Sequence, residues 1–157
     1  MFSHILIPLD GSAYGERVLA YAADLAALGA GRVTLLTVIP SEGADAGDAA
    51  EVDRCRAYLD EHATTLRSAG IEDVATDVRS GVVAAAIAEA ARELGVDLIA
   101  MSTQGLSAQS DEGLGSVASK VLVSAPCPVF MVRIRRPDPP KGVAEERWQS
   151  EGGANVG

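Results

Sequence analysis

Two short segments of the chain combine glycine, hydroxyl and carboxylate residues in a way that suits phosphate chemistry. Residues 8–12 read Pro-Leu-Asp-Gly-Ser, and residues 102–105 read Ser-Thr-Gln-Gly, followed after nine residues by Gly115 and Ser116. Glycine lets a backbone approach a ligand without a Cβ in the way. A helix that begins at Gly115-Ser116 would direct free N–H groups and its positive dipole end toward an anion. The second segment is therefore a candidate for contact with an anionic ligand.

The elements that must position these segments alternate between strand and helix along the chain. Apolar runs bounded by turn residues predict five strands, and apolar positions at helical spacing predict the helices between them. The predicted strands are residues 4–9, 32–39, 74–79, 97–101 and 127–134, and the predicted helices lie between Ser12 and Gly29 and over about 51–69, 83–94 and 116–123. Residues 41–50 are interpreted as an exposed loop. Strands joined by single helices require right-handed crossovers, which predicts a doubly wound, mainly parallel sheet with helices on both faces.

Such sheets bind ligands beyond the carboxyl ends of their strands, where the strand order reverses. Residues 8–12 follow the first predicted strand, and residues 102–105 follow the fourth. The two segments are therefore expected at one edge of the sheet, facing a common ligand.

Composition narrows the classes of function. The 157 residues suffice for one domain, and the formal net charge of −9 argues against a general nucleic-acid binder. No stretch is apolar for long enough to span a bilayer, and the first residues run directly into a strand, so we expect a cytoplasmic protein without a signal peptide or membrane contact. Cys55 and Cys127 lack metal-ligand spacing and are expected to be unpaired, buried thiols.

The chain resembles the universal stress protein family over about residues 3–134. The opening Ile-Leu-Ile-Pro-Leu-Asp-Gly-Ser of residues 5–12 is similar to the family's first strand and turn. Residues 115–122, Gly-Ser-Val-Ala-Ser-Lys-Val-Leu, and residues 125–129 are similar to its last helix and strand. The resemblance implies one domain over residues 1–134 with strand order 3-2-1-4-5, and residues 135–157, rich in proline and charge, are expected to form a disordered tail.

ATP-binding members of that family carry the pattern Gly, two residues, Gly, nine residues, Gly-Ser or Gly-Thr. The resemblance implies that Asp10 contacts the nucleoside and that the backbone at Val38, after the second strand, brackets the adenine. It also implies that Gly105, Gly115 and Ser116 cradle the phosphates of ATP, with or without Mg²⁺. The sequence itself offers no residue that we would name as a catalytic base. The full set of predicted binding residues is Pro8, Leu9, Asp10, Ser12, Val38, Met101, Ser102, Gly105, Gly115, Ser116 and Val117.

The sequence departs from the family pattern at two places. Ser102 stands where the first glycine belongs, and a positive φ there would be costly for serine. Residues 106–114 contain Asp111 and Glu112 where the family usually has basic residues. Their carboxylates would repel a triphosphate unless Mg²⁺ lies between them.

Several alternatives stay open from the sequence. A member that has lost the nucleotide and acts only through protein partners is one, and a slow ATPase is another. Residues 113–118 match a Gly-x-Gly-x-x-Ala dinucleotide pattern, but they lie far beyond the fourth strand, which argues against that interpretation. The family typically pairs through its last strand, so the resemblance implies a homodimer, and the apolar residues 129–132 would otherwise leave an edge strand uncovered.

Overall fold

The computed structural model describes residues 2–29, 31–43, 47–105 and 113–133. All strand pairs in it are parallel, and the five strands form one sheet with the order β3-β2-β1-β4-β5. The strands are β1 His4–Pro8, β2 Arg32–Pro40, β3 Val74–Gly81, β4 Leu98–Ser102 and β5 Val129–Val132. The helices are α1 Ala13–Glu16, α2 Leu19–Ala27, α3 Ala49–Ser68, α4 Val83–Leu94 and α5 Ser116–Ser124. The predicted fold class and strand order are confirmed.

Helices cover both faces of the sheet, and the alternation of side chains along β1 shows how. Ile5 and Ile7 pack with α2 and α3, whereas Leu6 between them packs with α4 and α5. All three are completely buried. Near-continuous apolar runs are typical of parallel strands that are covered on both sides. Burial on each face fixes the register, since a slip of one residue would exchange the two faces.

The first predicted helix is divided into α1 and α2. Around the junction the backbone bonds span three residues instead of four, from Arg17 N–H to the Tyr14 carbonyl and from Tyr21 N–H to the Val18 carbonyl. The Ser102 hydroxyl donates toward the carbonyl oxygens of Tyr14 and Gly15, as described below. These oxygens are then less available to N–H groups four residues further on, and the backbone winds more tightly here. The predicted inward face is otherwise confirmed, because Val18 and the apolar positions after it pack into the core.

Other boundaries also differ from prediction. β5 is shorter than residues 127–134 because β4 offers only residues 99–102 for pairing, and residue 134 lies outside the described range. β3 extends to Gly81 because β2 continues to Pro40 opposite it. α3 begins at Ala49, earlier than predicted, after an N-cap at Asp48. Both cysteines, expected to be buried, are partly exposed.

Candidate functional site

A cavity of about 300 Å³ lies at the carboxyl ends of β1, β2 and β4, at the edge that the sequence predicts. Its walls come from the ends of these strands, from α4, and from the first turn of α5. The lining is mainly apolar, with a few polar groups at one side, as is common in small-molecule sites. The lining residues are Pro8, Leu9, Asp10, Gly15, Leu36, Thr37, Val38, Pro40, Val83, Ile87, Met101, Thr103, Gln104, Gly105, Gly115, Ser116, Val117 and Ala118.

The Asp10 carboxylate is held in one orientation at the end of β1. Its Oδ1 accepts hydrogen bonds from the Ser12 N–H at 2.9 Å and from the Ser12 hydroxyl at 2.5 Å. The Ser12 oxygen in turn accepts the Gly15 N–H at 2.9 Å and so caps α1. Asp10 is therefore both a turn residue and part of the cavity wall.

Glycines at two positions of the signature make room for protein atoms, which is a different reason from the predicted approach of backbone to phosphate. A Cβ on Gly105 would overlap Asp10 Oδ2 and would lie 3.2 Å from Asp10 Cγ. A Cβ on Gly115 would meet the Thr103 carbonyl oxygen at 3.0 Å. The Gly115 N–H donates to that same oxygen at 2.7 Å. The glycines thus bring the end of β4 into direct contact with Asp10 and with the start of α5.

Ser102 ends β4 and bonds to α1, away from the cavity. Its hydroxyl donates toward the carbonyl oxygens of Tyr14, at 2.8 Å, and Gly15, at 3.2 Å, and the residue is buried. Among the described residues only glycines have positive φ, so the expected backbone cost of serine here is wrong. The position requires a small side chain in an ordinary strand. Ser102 fastens β4 to the short helix whose N-cap holds Asp10.

The start of α5 is open toward the cavity. Its N-cap is Gly115, and no side chain caps it. Gly115, Ser116 and Val117 all line the cavity. The first N–H groups of a helix have no partner within it, and together with the dipole they attract an anion. The helix end that the sequence analysis assigns to a phosphate therefore lies at the cavity wall, and its role stays a prediction.

The backbone of Val38 faces the cavity for a reason that lies in the sheet register. Val33 N–H bonds toward β3, whereas the Leu36 carbonyl accepts the Leu9 N–H from the β1 side. Since alternate residues of a strand direct their amides to opposite sides, Val38 directs both its N–H and its carbonyl to the β1 side. β1 pairs with β2 only as far as Leu36. Val38 therefore presents a donor and an acceptor beyond the end of β1.

A second polar cluster connects α1 to α3. The Tyr58 hydroxyl of α3 donates to Glu16 Oε1 at 2.9 Å, and His62 Nε2 lies 3.4 Å from the same oxygen. Burial, together with the bond to Glu16, raises the pKa of Tyr58, so its hydroxyl stays protonated and remains a donor. α1 is thus held between β4, through Ser102, and α3, through Glu16.

Nine of the eleven predicted binding residues line the cavity, and the other two, Ser12 and Ser102, stand behind its wall. Sequence reasoning missed Thr37, Thr103 and Gln104, the polar lining residues next to predicted ones, and the apolar wall of α4. Thr103 and Gln104 lie inside the glycine motif and could have been found there. Val83 and Ile87 were assigned to helix packing, since their spacing carries no sign of a ligand. The predicted acidic residues Asp111 and Glu112 lie outside the described residues.

Replacing Ser102 by alanine tests the fastening of α1. The variant loses one buried donor and leaves two carbonyl oxygens of α1 with fewer partners, so we expect unfolding to become easier by about 1–2 kcal/mol. Urea denaturation followed by circular dichroism measures the change. Ser124→Ala is the matched control, because its hydroxyl bonds to the Lys120 carbonyl on an exposed helix end. Equal stability of the two variants would contradict the role of Ser102.

Comparison with known proteins agrees with this architecture. The model of the universal stress protein family matches residues 1–133. A Staphylococcus haemolyticus protein that carries the universal stress protein name is 32% identical over 140 residues, which is 84% of this chain and 85% of that protein.

Solved structures of the same kind superpose well. Universal stress protein UspA from Lactobacillus plantarum gives a TM-score of 0.72 at 21% identity, over 83% of this chain and 97% of its own, and this likeness concerns the fold. A universal stress protein solved in complex with cAMP gives 0.68 at 25% identity, over 83% and 97% of the two chains. The family match over nearly the whole described chain, on a sheet of the same order, leads to one conclusion: the protein belongs to the universal stress protein family.

Proposed function

We propose that the cavity binds an adenine nucleotide, with the base in its apolar part and a phosphate at the start of α5. ATP is the form that the family resemblance implies, with or without Mg²⁺. The observation that carries the proposal is the meeting of three features in one cavity. The amide of Val38, the fixed carboxylate of Asp10 and the uncapped N-terminus of α5 all line it.

The chemistry of these groups fits the parts of a nucleotide. An adenine edge offers a donor and an acceptor side by side, which a single residue's N–H and carbonyl can match. The apolar lining, including Met101 and Ile87, suits the faces of a flat aromatic base. A fixed carboxylate accepts hydrogen bonds from sugar hydroxyls. The volume of about 300 Å³ lies at the lower end of the range for small-molecule sites.

The relative solved with cAMP supports this choice of ligand. Its ligand consists of adenine, a sugar and one phosphate, and its chain matches 83% of the present one. The likeness makes an adenine nucleotide the first compound to test.

We propose binding without catalysis. Asp10 is the one titratable side chain among the described lining residues, so these residues supply no acid–base pair. Neither do the described parts of the chain contain a cluster of three or more residues able to hold a metal ion. A slow ATPase would need its second group from elsewhere, and turnover of radiolabelled ATP would reveal it.

Nucleotide released on denaturation of the purified protein gives the direct test. Chromatography of the released material should show an adenine compound, and calorimetry on the emptied protein should show that it binds again. A protein that releases and rebinds no adenine nucleotide would instead support the alternative that acts only through protein partners.

Val38→Pro is a sharper test of how adenine is held. Proline removes the N–H directed at the cavity, and the ladder to β3 is kept because that N–H takes no part in it. We expect the dissociation constant of adenine nucleotides to rise about tenfold, as measured by calorimetry. Val38→Ala is the control, since it trims the side chain and keeps the N–H. A loss of the same size in both variants would show that only the side chain matters.

We also propose that two copies pair through β5. β5 ends the sheet, and no described strand lies beyond it. Val129, Phe130 and Met131 of β5 are partly exposed. An open strand edge with apolar side chains is a template for another chain.

Within the described ranges no helix is long and apolar enough to cross a membrane. The cytoplasmic location stays a prediction.

A further inference from the structure

The charge around the cavity points to one kind of adenine nucleotide. We infer that the site takes a nucleotide with a single phosphate group in preference to ATP. The inference rests on the proposed function and adds the number of phosphates that the site can neutralise.

The described lining residues include no lysine, arginine or histidine. Their one charged side chain is Asp10, and it is negative. Arg79, on the neighbouring strand β3, lies outside the lining and is paired with Asp77 at 2.8 Å and Glu93 at 2.7 Å. Side chains of the described wall therefore give a polyphosphate no positive partner.

The stretches of sequence that adjoin the described wall lack a cationic residue as well. Between Arg92 and Lys120 the sequence contains no lysine, arginine or histidine, and the same holds for residues 5–16 and 35–53. Lys120 is exposed and does not line the cavity. The absence thus holds for the sequence of the whole connection between β4 and α5, whatever path it takes.

Among the groups of the described wall, the positive one is the N-terminus of α5. A helix end acts as about half a unit of positive charge, and its effect falls off within the first turn. That suits one phosphate. ATP carries about two more negative charges than AMP at neutral pH. Each extra charge about 7 Å from the Asp10 carboxylate raises the dissociation constant about five- to tenfold, at an effective dielectric constant of about 40.

Calorimetry with adenosine, AMP, cAMP and ATP, in EDTA and again in excess Mg²⁺, tests the inference on the full chain emptied of ligand. In EDTA the tighter of AMP and cAMP should bind at least tenfold more tightly than ATP and at least fivefold more tightly than adenosine. Mg²⁺ should narrow the difference between ATP and AMP. ATP that binds as tightly as AMP in EDTA would overturn the inference alone. So would adenosine that binds as tightly as AMP, because α5 would then receive no phosphate. Binding of none of the four would overturn the proposed function as well.

A variant that adds a cation separates charge from fit. Ser116 lines the cavity and is exposed, so a longer side chain can be placed there. Ser116→Lys should improve ATP binding in EDTA at least fivefold more than it improves AMP binding. Ser116→Gln controls for the length of the side chain and the lost hydroxyl. An equal ratio of ATP to AMP affinity in the two variants would contradict selection by charge.

Discussion

Gly105→Ala is expected to weaken adenine nucleotide binding at least a hundredfold. The new Cβ would overlap Asp10 Oδ2 and would lie 3.2 Å from Asp10 Cγ. The carboxylate cannot turn away easily, because Ser12 holds Oδ1 through two hydrogen bonds and Gly15 packs against its other side. Either Asp10 leaves its place or the end of β4 moves, and both changes distort the cavity wall. Calorimetry against AMP and ATP measures the loss.

Controls separate a distorted site from a damaged fold. Gly31→Ala adds the same methyl group at the opposite end of β2, where it makes only ordinary contact, 3.6 Å from the Ser3 carbonyl, so binding should be unchanged. In an Asp10→Ala background the methyl group at position 105 meets no carboxylate, and the stability lost in Gly105→Ala should be recovered while binding is not. Affinity equal to that of the parent in Gly105→Ala would remove Asp10 and Gly105 from the proposed site.

Met131→Pro is expected to convert a homodimer into a monomer. The Pro128 and Val132 carbonyls accept bonds from Ile99 and Thr103 of the β4 side, so the alternation along β5 directs the Met131 N–H to the outer edge. Proline there removes one donor of the proposed intermolecular ladder and leaves the pairing with β4 intact. Light scattering at micromolar concentration should give the mass of two chains for the parent and of one chain for the variant.

Two further proteins complete this test. Met131→Ala trims the side chain and keeps the N–H, so it should remain dimeric. Truncation after Arg136 should also leave the dimer, because the proposed contact is the strand. A parent protein that scatters as a monomer would refute the pairing, and a dimer lost only on truncation would move the contact to the tail.

Much of the fold could be predicted because its signals are local. Apolar runs such as residues 4–9 and the helical spacing of α4 follow from burial on both faces of a parallel sheet. The division between α1 and α2 could not be predicted, since it depends on a hydroxyl 88 residues away in the chain. The end of β5 likewise depends on the length of β4 opposite it, which no pattern within β5 records.

In the candidate site, too, some residues could be predicted from local sequence and others could not. Gly105 and Gly115 belong to the glycine signature, Asp10 belongs to the turn after β1, and all three line the cavity. Val38 was assigned by resemblance, and the register of β2 gives the physical reason, which a single strand's sequence does not contain. Thr37 and Ile87 were missed because their types and spacing are equally suited to ordinary packing.

Ser102 changes how the glycine signature should be interpreted. The residue lies in β4 with an ordinary backbone, and its hydroxyl bonds to α1. What the fold demands at this position is small volume between a strand end and a one-turn helix. Glycine fits because it has no side chain, and serine fits because its side chain is small and also forms a hydrogen bond to α1. A sequence search that accepts only glycine at this position would reject chains whose backbone follows the same path. A search that accepts any residue with a small side chain would retain them.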